Sequence, residues 1–145
     1  MPSTVVSLRV SDEQAERLQR KARKLGRSAS ETGAILLDES LRRDEFAFID
    51  FRDSPVGRQA YIQGSRLAVW QVVSIVRDYD GDVRKAAGHL EWPAVKTQAA
   101  LNYAKAFPDE IENAIRDNQT QTLDTVSRTL PHVEEFRTSG KGKKK

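Results

Sequence analysis

Residues 4–10 alternate between two kinds of side chain with a period of two residues. One set is wholly apolar and consists of Val6, Leu8 and Val10. The other set is mixed and consists of Val5, Ser7 and Arg9. This period is typical of a strand with one buried face, and it predicts a strand over Thr4–Val10. Because a lone strand has nothing to pair with, we expect this one to need a partner strand.

A serine followed three residues later by glutamine or glutamate occurs twice, at Ser11 and at Ser28. This spacing is typical of a capping box, in which the serine begins a helix. Gly26 is a suitable residue to end the first helix, and apolar residues at helical spacing continue the second to about Arg43. The strand and the two helices form a first unit, for which we set the bounds at residues 1–45.

Shorter elements follow over residues 46–118, which we take as a second unit. The expected elements are strands over residues 46–51, 58–62 and 67–69, a turn over residues 54–57, and helices over residues 70–77, 82–90, 94–106 and 108–118. Residues 119–145 are mostly polar and predict a flexible tail. The expected fold class is therefore mainly α with short β, namely the N-terminal strand, which pairs with a second copy, and a short hairpin in a small helical second unit.

The composition limits the size of the hydrophobic core, since 38% of the residues are apolar, 7% aromatic and 31% charged. A module of about 40–50 residues is marginal alone and usually needs a partner to complete its core. The chain has no cysteine, which excludes disulfides and thiolate metal sites and is typical of a reducing compartment. We see neither a signal-peptide pattern nor an apolar run of the ~20 residues that a membrane helix requires. We therefore expect a cytoplasmic protein.

Charge is distributed unevenly along the chain, although the net charge is only +3. Seven basic and three acidic residues lie between Arg9 and Arg27, whereas two basic and seven acidic residues lie between Phe107 and Glu135. Five further basic residues lie in residues 137–145. The net charge is thus a weak argument for nucleic-acid binding, and the basic first segment is a stronger, local one.

Two copies of the predicted strand can pair antiparallel across a two-fold axis, with the apolar set buried on the four helices of the dimer. A two-stranded ribbon fits the DNA major groove, so the mixed set would face the bases. The predicted base contacts are Val5, Ser7 and Arg9. Backbone amides at the start of the second helix can hold a phosphate, and the predicted phosphate contacts are Arg27, Ser28 and Ser30. The alternative is an edge strand with a solvated Arg9.

Residues 4–43 resemble the ribbon-helix-helix repressors and antitoxins. The resemblance rests on the strand leading into Ser11-Asp-Glu13, on Leu25-Gly-Arg-Ser28, and on the helix that follows. It implies a homodimer that reads base edges with the mixed set and clamps a phosphate with Ser28. The chain departs from the family at Val5, where many relatives have a polar residue.

Residues 50–115 resemble a domain of unknown function that is common in bacterial antitoxin genes. The matching strings are Tyr61–Val69, Trp92-Pro-Ala-Val95, Ala100–Tyr103 and Phe107–Ile111. Phe107 stands where that family usually has histidine, and Ser65 where it has threonine. The resemblance implies a small helical domain with a helix-turn-helix-like pair, formed here by the helices over residues 82–90 and 94–106.

Two roles stay open in this second unit. Arg66 either pairs with a carboxylate and pins its strand to the helices, which we favour, or contacts a partner. The helix over residues 94–106 has few cations on its outer side. We favour a scaffold or dimer-contact role for it, and a second DNA contact is the alternative.

Taken together, the two resemblances make the chain similar to a VapB-type antitoxin of a type II toxin–antitoxin system. Such an antitoxin neutralises a PIN-like ribonuclease toxin and represses its own operon by binding DNA. The resemblance implies that the tail binds the toxin, with Arg128 or Arg137 reaching the acidic centre of the toxin. The expected toxin contacts are Leu123, Val126, Arg128, Leu130, Val133, Phe136 and Arg137. The alternative is a stand-alone ribbon-helix-helix regulator whose second domain senses a ligand or oligomerises.

Catalytic and metal-binding chemistry has no support in the sequence. Asp78, Asp80 and Asp82 lack the glycine and glutamate spacing of a calcium loop, so we expect a turn that ends a helix. His89 and His132 have no second ligand or nucleophile at a useful spacing. We therefore expect no enzymatic activity, no metal and no cofactor.

Overall fold

The computed structural model describes residues 3–129, with side chains through residue 119. The helices are α1 (Asp12–Leu25), α2 (Ala29–Glu45), α3 (Val69–Asp78), α4 (Val83–Leu90), α5 (Ala94–Ala106) and α6 (Pro108–Thr129). The strands are β1 (Ile49–Ser54) and β2 (Gly57–Ile62), which form an antiparallel sheet. The prediction of a mainly α fold with short β is confirmed. Among the described residues, no helix has the length and apolarity that crossing a membrane requires.

The predicted strand Thr4–Val10 is not formed in the single chain. Residues 3–11 contain neither helix nor strand, and both strands of the fold come after α2. A strand needs a second strand to receive its backbone hydrogen bonds, and within residues 3–129 the sheet consists of β1 and β2 alone. The order ribbon-helix-helix is therefore absent from the isolated chain.

Both predicted capping boxes are confirmed. Ser11 Oγ accepts a hydrogen bond from the Gln14 amide at 3.1 Å, and Gln14 Oε1 accepts one from the Ser11 amide at 3.0 Å. Ser28 caps α2 in the same way. The chain leaves α1 through Gly26, whose φ of 66° lies in the left-handed region that glycine tolerates best. The Arg27 amide donates to Ala22 O at 3.0 Å, which completes a Schellman turn between the two helices.

The hairpin β1–β2 runs from Ile49 opposite Ile62 to Ser54 opposite Gly57. The predicted second strand and the predicted turn are confirmed. The first strand begins later than expected, at Ile49 instead of residue 46, because α2 continues to Glu45 and Phe48 adopts a positive φ of 62°.

An ion pair fastens this hairpin to α2. Glu39 of α2 is buried, and its two carboxylate oxygens accept hydrogen bonds from Arg58 Nε at 2.9 Å and Arg58 Nη2 at 2.5 Å. Hydrogen bonding to Glu39 raises the pKa of Arg58 above its usual range. Contacts accordingly divide the chain between Arg66 and Leu67, so the hairpin belongs to the first unit, whereas the sequence places the boundary after residue 45.

The second unit begins with a helix where the sequence predicts a third strand. Ala68 makes only an isolated bridge, and Val69 already starts α3. Gln71 Oε1 accepts a hydrogen bond from the Ala68 amide at 2.8 Å and so caps this helix. Four buried valines recur at helical spacing, namely Val69, Val72, Val73 and Val76. Burying this stripe outweighs the β propensity of valine, which depends strongly on packing.

Small and aromatic side chains form the core of the second unit. Tyr103 of α5 is fully buried, and its hydroxyl donates to Glu110 Oε2 at 2.7 Å. Two isoleucines of α6, Ile111 and Ile115, are buried as well. Arg77 of α3 and Glu112 of α6 form an ion pair that lowers the pKa of Glu112. The backbone of α6 continues to Thr129, beyond the predicted helix end at residue 118.

Candidate nucleic-acid interface

The N-terminal segment, residues 3–11, leaves both of its side-chain sets in solvent. The three predicted base contacts are all exposed, with Val5 at 92%. The apolar set is exposed too, and Leu8 reaches 73%. Residues of this type are usually buried, so this exposed set leaves a large apolar area in contact with water. The isolated chain therefore presents this segment without the surface that would cover it.

Further apolar surface of the first unit is open on its helices. Leu37 and Leu41 lie one turn apart on α2 and are 48% and 54% exposed. Leu18 and Leu36 lie in an open groove of about 380 Å³ between α1 and α2. Three segments of this unit thus expose residues of the type that fills protein cores.

Basic residues cover the exposed side of α1 and the turn that follows it. They are Arg17, Arg20, Arg23, Lys24 and Arg27. Their number exceeds that of the acids in the same segment, which are Asp12, Glu13 and Glu16. This surface suits a polyanion. Exposed guanidinium and ammonium groups can neutralise phosphates, and the counterions bound to those phosphates are then released.

The three predicted phosphate contacts lie together at the start of α2, but not all of their groups are free. Ser28 Oγ accepts from the Glu31 amide at 3.0 Å and so already serves as the helix cap. Hydrogen bonds from Ser28, followed by the proximity of Arg27, lower the pKa of Glu31, so this carboxylate is ionised at the same end. The amides of Ala29 and Ser30 make no hydrogen bond among the described residues. They are the groups that can receive a phosphate.

In the second unit, α4 and α5 are joined by a turn of three residues with a defined conformation. Glu91 lies in the left-handed region, at φ 56° and ψ 44°. The Trp92 amide donates to Ala87 O at 3.2 Å, and the Glu91 amide to Gly88 O at 3.2 Å. These two bonds form a Schellman turn, after which Pro93 precedes the first residue of α5. An eight-residue helix, a three-residue turn and a second helix follow the spacing of a helix-turn-helix.

Burial fixes which side of this helix pair faces the core. The buried residues are Ala86 and Ala87 of α4 and Thr97, Ala99, Ala100 and Tyr103 of α5. Trp92 in the turn donates from its indole Nε1 to Thr97 Oγ1 at 2.8 Å, which holds the start of α5 against the turn. The opposite side of α5 is open and carries Val95, Gln98 and Asn102. The sequence already indicates Gln98 and Asn102 on the outer side of this helix, but it favours a scaffold or dimer-contact role there because that side has few cations, and it leaves a second DNA contact as the alternative.

Arg66 does not play the pinning role favoured from the sequence. Its side chain is exposed and makes no ion pair with any described residue. Arg58 has this role instead, through Glu39 of α2, while Arg52 Nη1 donates to the backbone Ser65 O at 2.6 Å and so ties its strand to the following loop. The alternative for Arg66, contact with a partner, stays a prediction.

The acidic and histidine candidates lie in helix ends. Asp82 Oδ1 accepts from the Lys85 amide at 3.0 Å and caps α4, while Asp80 and Gly81 adopt positive φ in the turn before it. This confirms the predicted helix-ending turn. His89 Nδ1 lies 3.0 Å from the Tyr79 hydroxyl. Among the described side chains, which end at residue 119, no three histidine or acidic groups converge as metal ligands.

The side chains of all the predicted toxin contacts lie outside the described set. Leu123, Val126 and Arg128 lie on the helical backbone of α6, and their side chains are outside the described set. The other four, Leu130, Val133, Phe136 and Arg137, lie outside the described residues.

Comparison with protein families, curated proteins and solved structures gave no match: no family model, no curated relative and no solved structure matches this chain. The two family resemblances of the sequence therefore stay predictions.

Proposed function

We propose that this chain is the antitoxin of a type II toxin–antitoxin pair, a dimeric DNA-binding repressor that also neutralises a PIN-like ribonuclease. One observation carries the DNA-binding part. The N-terminal segment has the alternation of a strand, joins two capped helices directly, and leaves its apolar set in solvent. A second copy offers that set both a pairing strand and a surface to bury against.

The exposed apolar side chains of the first unit support the proposed dimer. Antiparallel pairing of two N-terminal segments would give each backbone its missing hydrogen-bond partners. The same association would cover Leu8, Leu37 and Leu41, each of them about half exposed or more in the single chain. Small modules of this length commonly complete their cores in this way.

DNA is the partner that best suits the side of the paired strands facing away from the helices. A two-stranded ribbon enters the major groove, where the guanidinium of Arg9 can donate two hydrogen bonds to the O6 and N7 atoms of a guanine. The exposed basic side of α1 and the amides of Ala29 and Ser30 would contact phosphates and fix the position of the ribbon.

The antitoxin part rests on the two family resemblances and on the order of charge along the chain. A basic DNA-binding head precedes an acidic segment between Phe107 and Glu135. The first part of that segment packs in the second unit through Ile111 and Ile115, whereas residues 119–145 are mostly polar and suit coupled folding along a basic ribonuclease. Within that segment α6 runs as helix to Thr129 and so presents its apolar positions at helical spacing.

The Arg9→Ala variant tests base reading. We expect it to weaken binding to a duplex from the region upstream of the gene by about 1–3 kcal/mol, because one bidentate base contact is lost. The dimer should persist, since Arg9 lies on the side facing away from the helices. A gel-shift titration measures the first quantity and sedimentation the second. Unchanged affinity for the upstream duplex would refute the proposed base contact.

Toxin neutralisation is tested by co-purification with the product of the neighbouring gene. The full chain should retain that product, and a chain ending at Asn118 should lose it while still shifting the upstream duplex. In a growth assay with both genes expressed, the shortened chain should fail to rescue. Full rescue by the shortened chain would show that the tail does not bind the toxin. If the full chain binds DNA but retains no product of the neighbouring gene, the stand-alone regulator is the better description.

A further inference from the structure

We propose that α4 and α5 form a second DNA-reading surface, in which α5 enters a major groove and its amide side chains read an adenine. This surface is separate from the N-terminal segment and does not depend on how that segment works. It lies in the second unit, for which the sequence favours a scaffold or dimer-contact role and leaves a second DNA contact as the alternative.

The helix lengths and the turn of α4–α5 are those of this mode of binding. In a helix-turn-helix the first helix crosses the DNA backbone, and residues near the start of the second helix contact base edges. Here the Schellman turn at Glu91 and the bond from Trp92 to Thr97 set the direction of α5. The turn is rigid because its backbone and its central side chain are both hydrogen-bonded.

The open side of α5 carries side chains suited to bases rather than to a protein core. Val95, Gln98 and Asn102 recur at intervals of three and four residues, so they share one face of the helix. Gln98 Nε2 donates to Asn102 Oδ1 at 3.0 Å, which holds the two amides side by side. The pair still offers an acceptor on Gln98 and donors on Asn102. That is the combination that N6 and N7 of adenine require, while the exposed Val95 can contact a thymine methyl.

Charge on this helix pair favours a polyanion over a protein partner. Residues 83–106 carry four basic side chains, Arg84, Lys85, Lys96 and Lys105, and one acidic one, Glu91. Residues 108–119 of the neighbouring α6 carry one basic and four acidic side chains. Arg84 and Lys85 are exposed on α4, the helix that would cross the phosphates. The positive surface therefore coincides with the helix-turn-helix and stops where α6 begins.

The test is a selection of random 30-base-pair duplexes by the full chain, followed by affinity measurements with variants. The double variant Gln98→Ala/Asn102→Ala should weaken binding to the selected duplex by about tenfold or more and lose the preference at one or two A·T pairs. Its matched control, Asn113→Ala/Gln119→Ala, removes the same two amides from exposed positions of α6 and should change neither. Lys85→Ala should weaken binding to all sequences alike and reduce the salt slope by about one.

The outcomes separate this proposal from the antitoxin proposal. If Arg9→Ala reduces affinity and the α5 double variant does not, the second surface is refuted and the N-terminal one stands. If only the α5 variant reduces affinity, the N-terminal base contact is refuted and the second surface stands. If the α5 variant alters the sedimenting mass but not the base preference, α5 contacts another protein chain, and the proposal is wrong. Circular dichroism of each variant must match the parent, because all substituted positions are exposed.

Discussion

The two units use the same local device, a pair of helices joined by a Schellman turn, but they differ in what covers the pair. In the first unit α1–α2 leaves Leu37 and Leu41 about half exposed. In the second unit α3 and α6 pack against α5, and Tyr103 is wholly buried. One helix pair is covered by other helices of its own unit, and the other leaves two leucines of α2 about half exposed.

The comparison indicates that the same turn can occur in two different proposed modes of DNA recognition. A pair with its own cover can present one helix as a rigid reader, as proposed for α5. For a pair without such cover, the proposed dimer would supply the missing surface, and its reading element would be built from two chains. Exposure of apolar residues, rather than the helices themselves, separates the two cases.

The largest expected effect is on the self-contained unit. Tyr103→Ala should destabilise it by about 3–5 kcal/mol, because a fully buried ring is replaced by a cavity. Both tryptophans of the chain, Trp70 and Trp92, lie in this unit, so tryptophan fluorescence during urea unfolding reports on it alone. Tyr103→Phe is the control and should cost about 1 kcal/mol for the lost hydrogen bond. A shift of the N-terminal unit by the same amount would mean that the units do not unfold separately.

The next effect distinguishes a paired unit from an unpaired one. Each tenfold rise in protein concentration should stabilise the first unit by about 1.4 kcal/mol, because a dimer dissociates on unfolding. The second unit should not respond. Far-UV circular dichroism follows both units and tryptophan fluorescence the second alone, so the two unfolding curves should move apart as concentration rises. Leu8→Glu should abolish the dependence, and curves that stay superimposed at all concentrations would contradict the dimer.

The smallest effect concerns the residue at the turn of each pair. Gly26→Ala should destabilise the first unit by about 1–2 kcal/mol, since a Cβ is disfavoured at positive φ and nothing lies within 4 Å to clash with it. Glu91→Gly should do the opposite in the second unit and stabilise it by up to ~1 kcal/mol. Glu91→Ala keeps the Cβ and removes the carboxylate, which separates backbone strain from charge. Differential scanning calorimetry of the three variants would show the opposite signs, and equal signs would contradict the comparison.

Local signals allowed much of the helical structure to be predicted. Ser11 and Ser28 each begin a helix, as their spacing to Gln14 and Glu31 indicates, because a capping box depends only on neighbouring residues. The hairpin turn before Gly57 was predictable for the same reason. Where local and tertiary preferences disagreed, packing decided. Val69 joins a helix because burial of a valine stripe outweighs strand propensity.

Features that depend on a distant residue were not accessible from one sequence. From the sequence, Glu39 resembles an exposed charged residue of a helix, and no residue near it in the chain predicts its ion pair with Arg58, nineteen residues away. The same holds for Arg66, which had the more suggestive position but makes no ion pair among the described residues. On the candidate surface, helical spacing alone indicates that Gln98 and Asn102 share the outer side of α5, whereas the hydrogen bond between their side chains requires the structure.

The Glu39–Arg58 pair has a consequence for the accuracy of folding. Side chains alternate across a strand, so a slip of the hairpin by one residue would turn Arg58 to the other face and bring Gln59 to its place. Glu39 would then face an amide in place of the Arg58 guanidinium and keep only the longer contact to Arg43 Nη2 at 3.8 Å, at a cost of up to about 3–5 kcal/mol. This electrostatic cost therefore adds to the packing cost in disfavouring a hairpin with a shifted register. The ion pair contributes more to choosing one strand register than to holding the finished fold together.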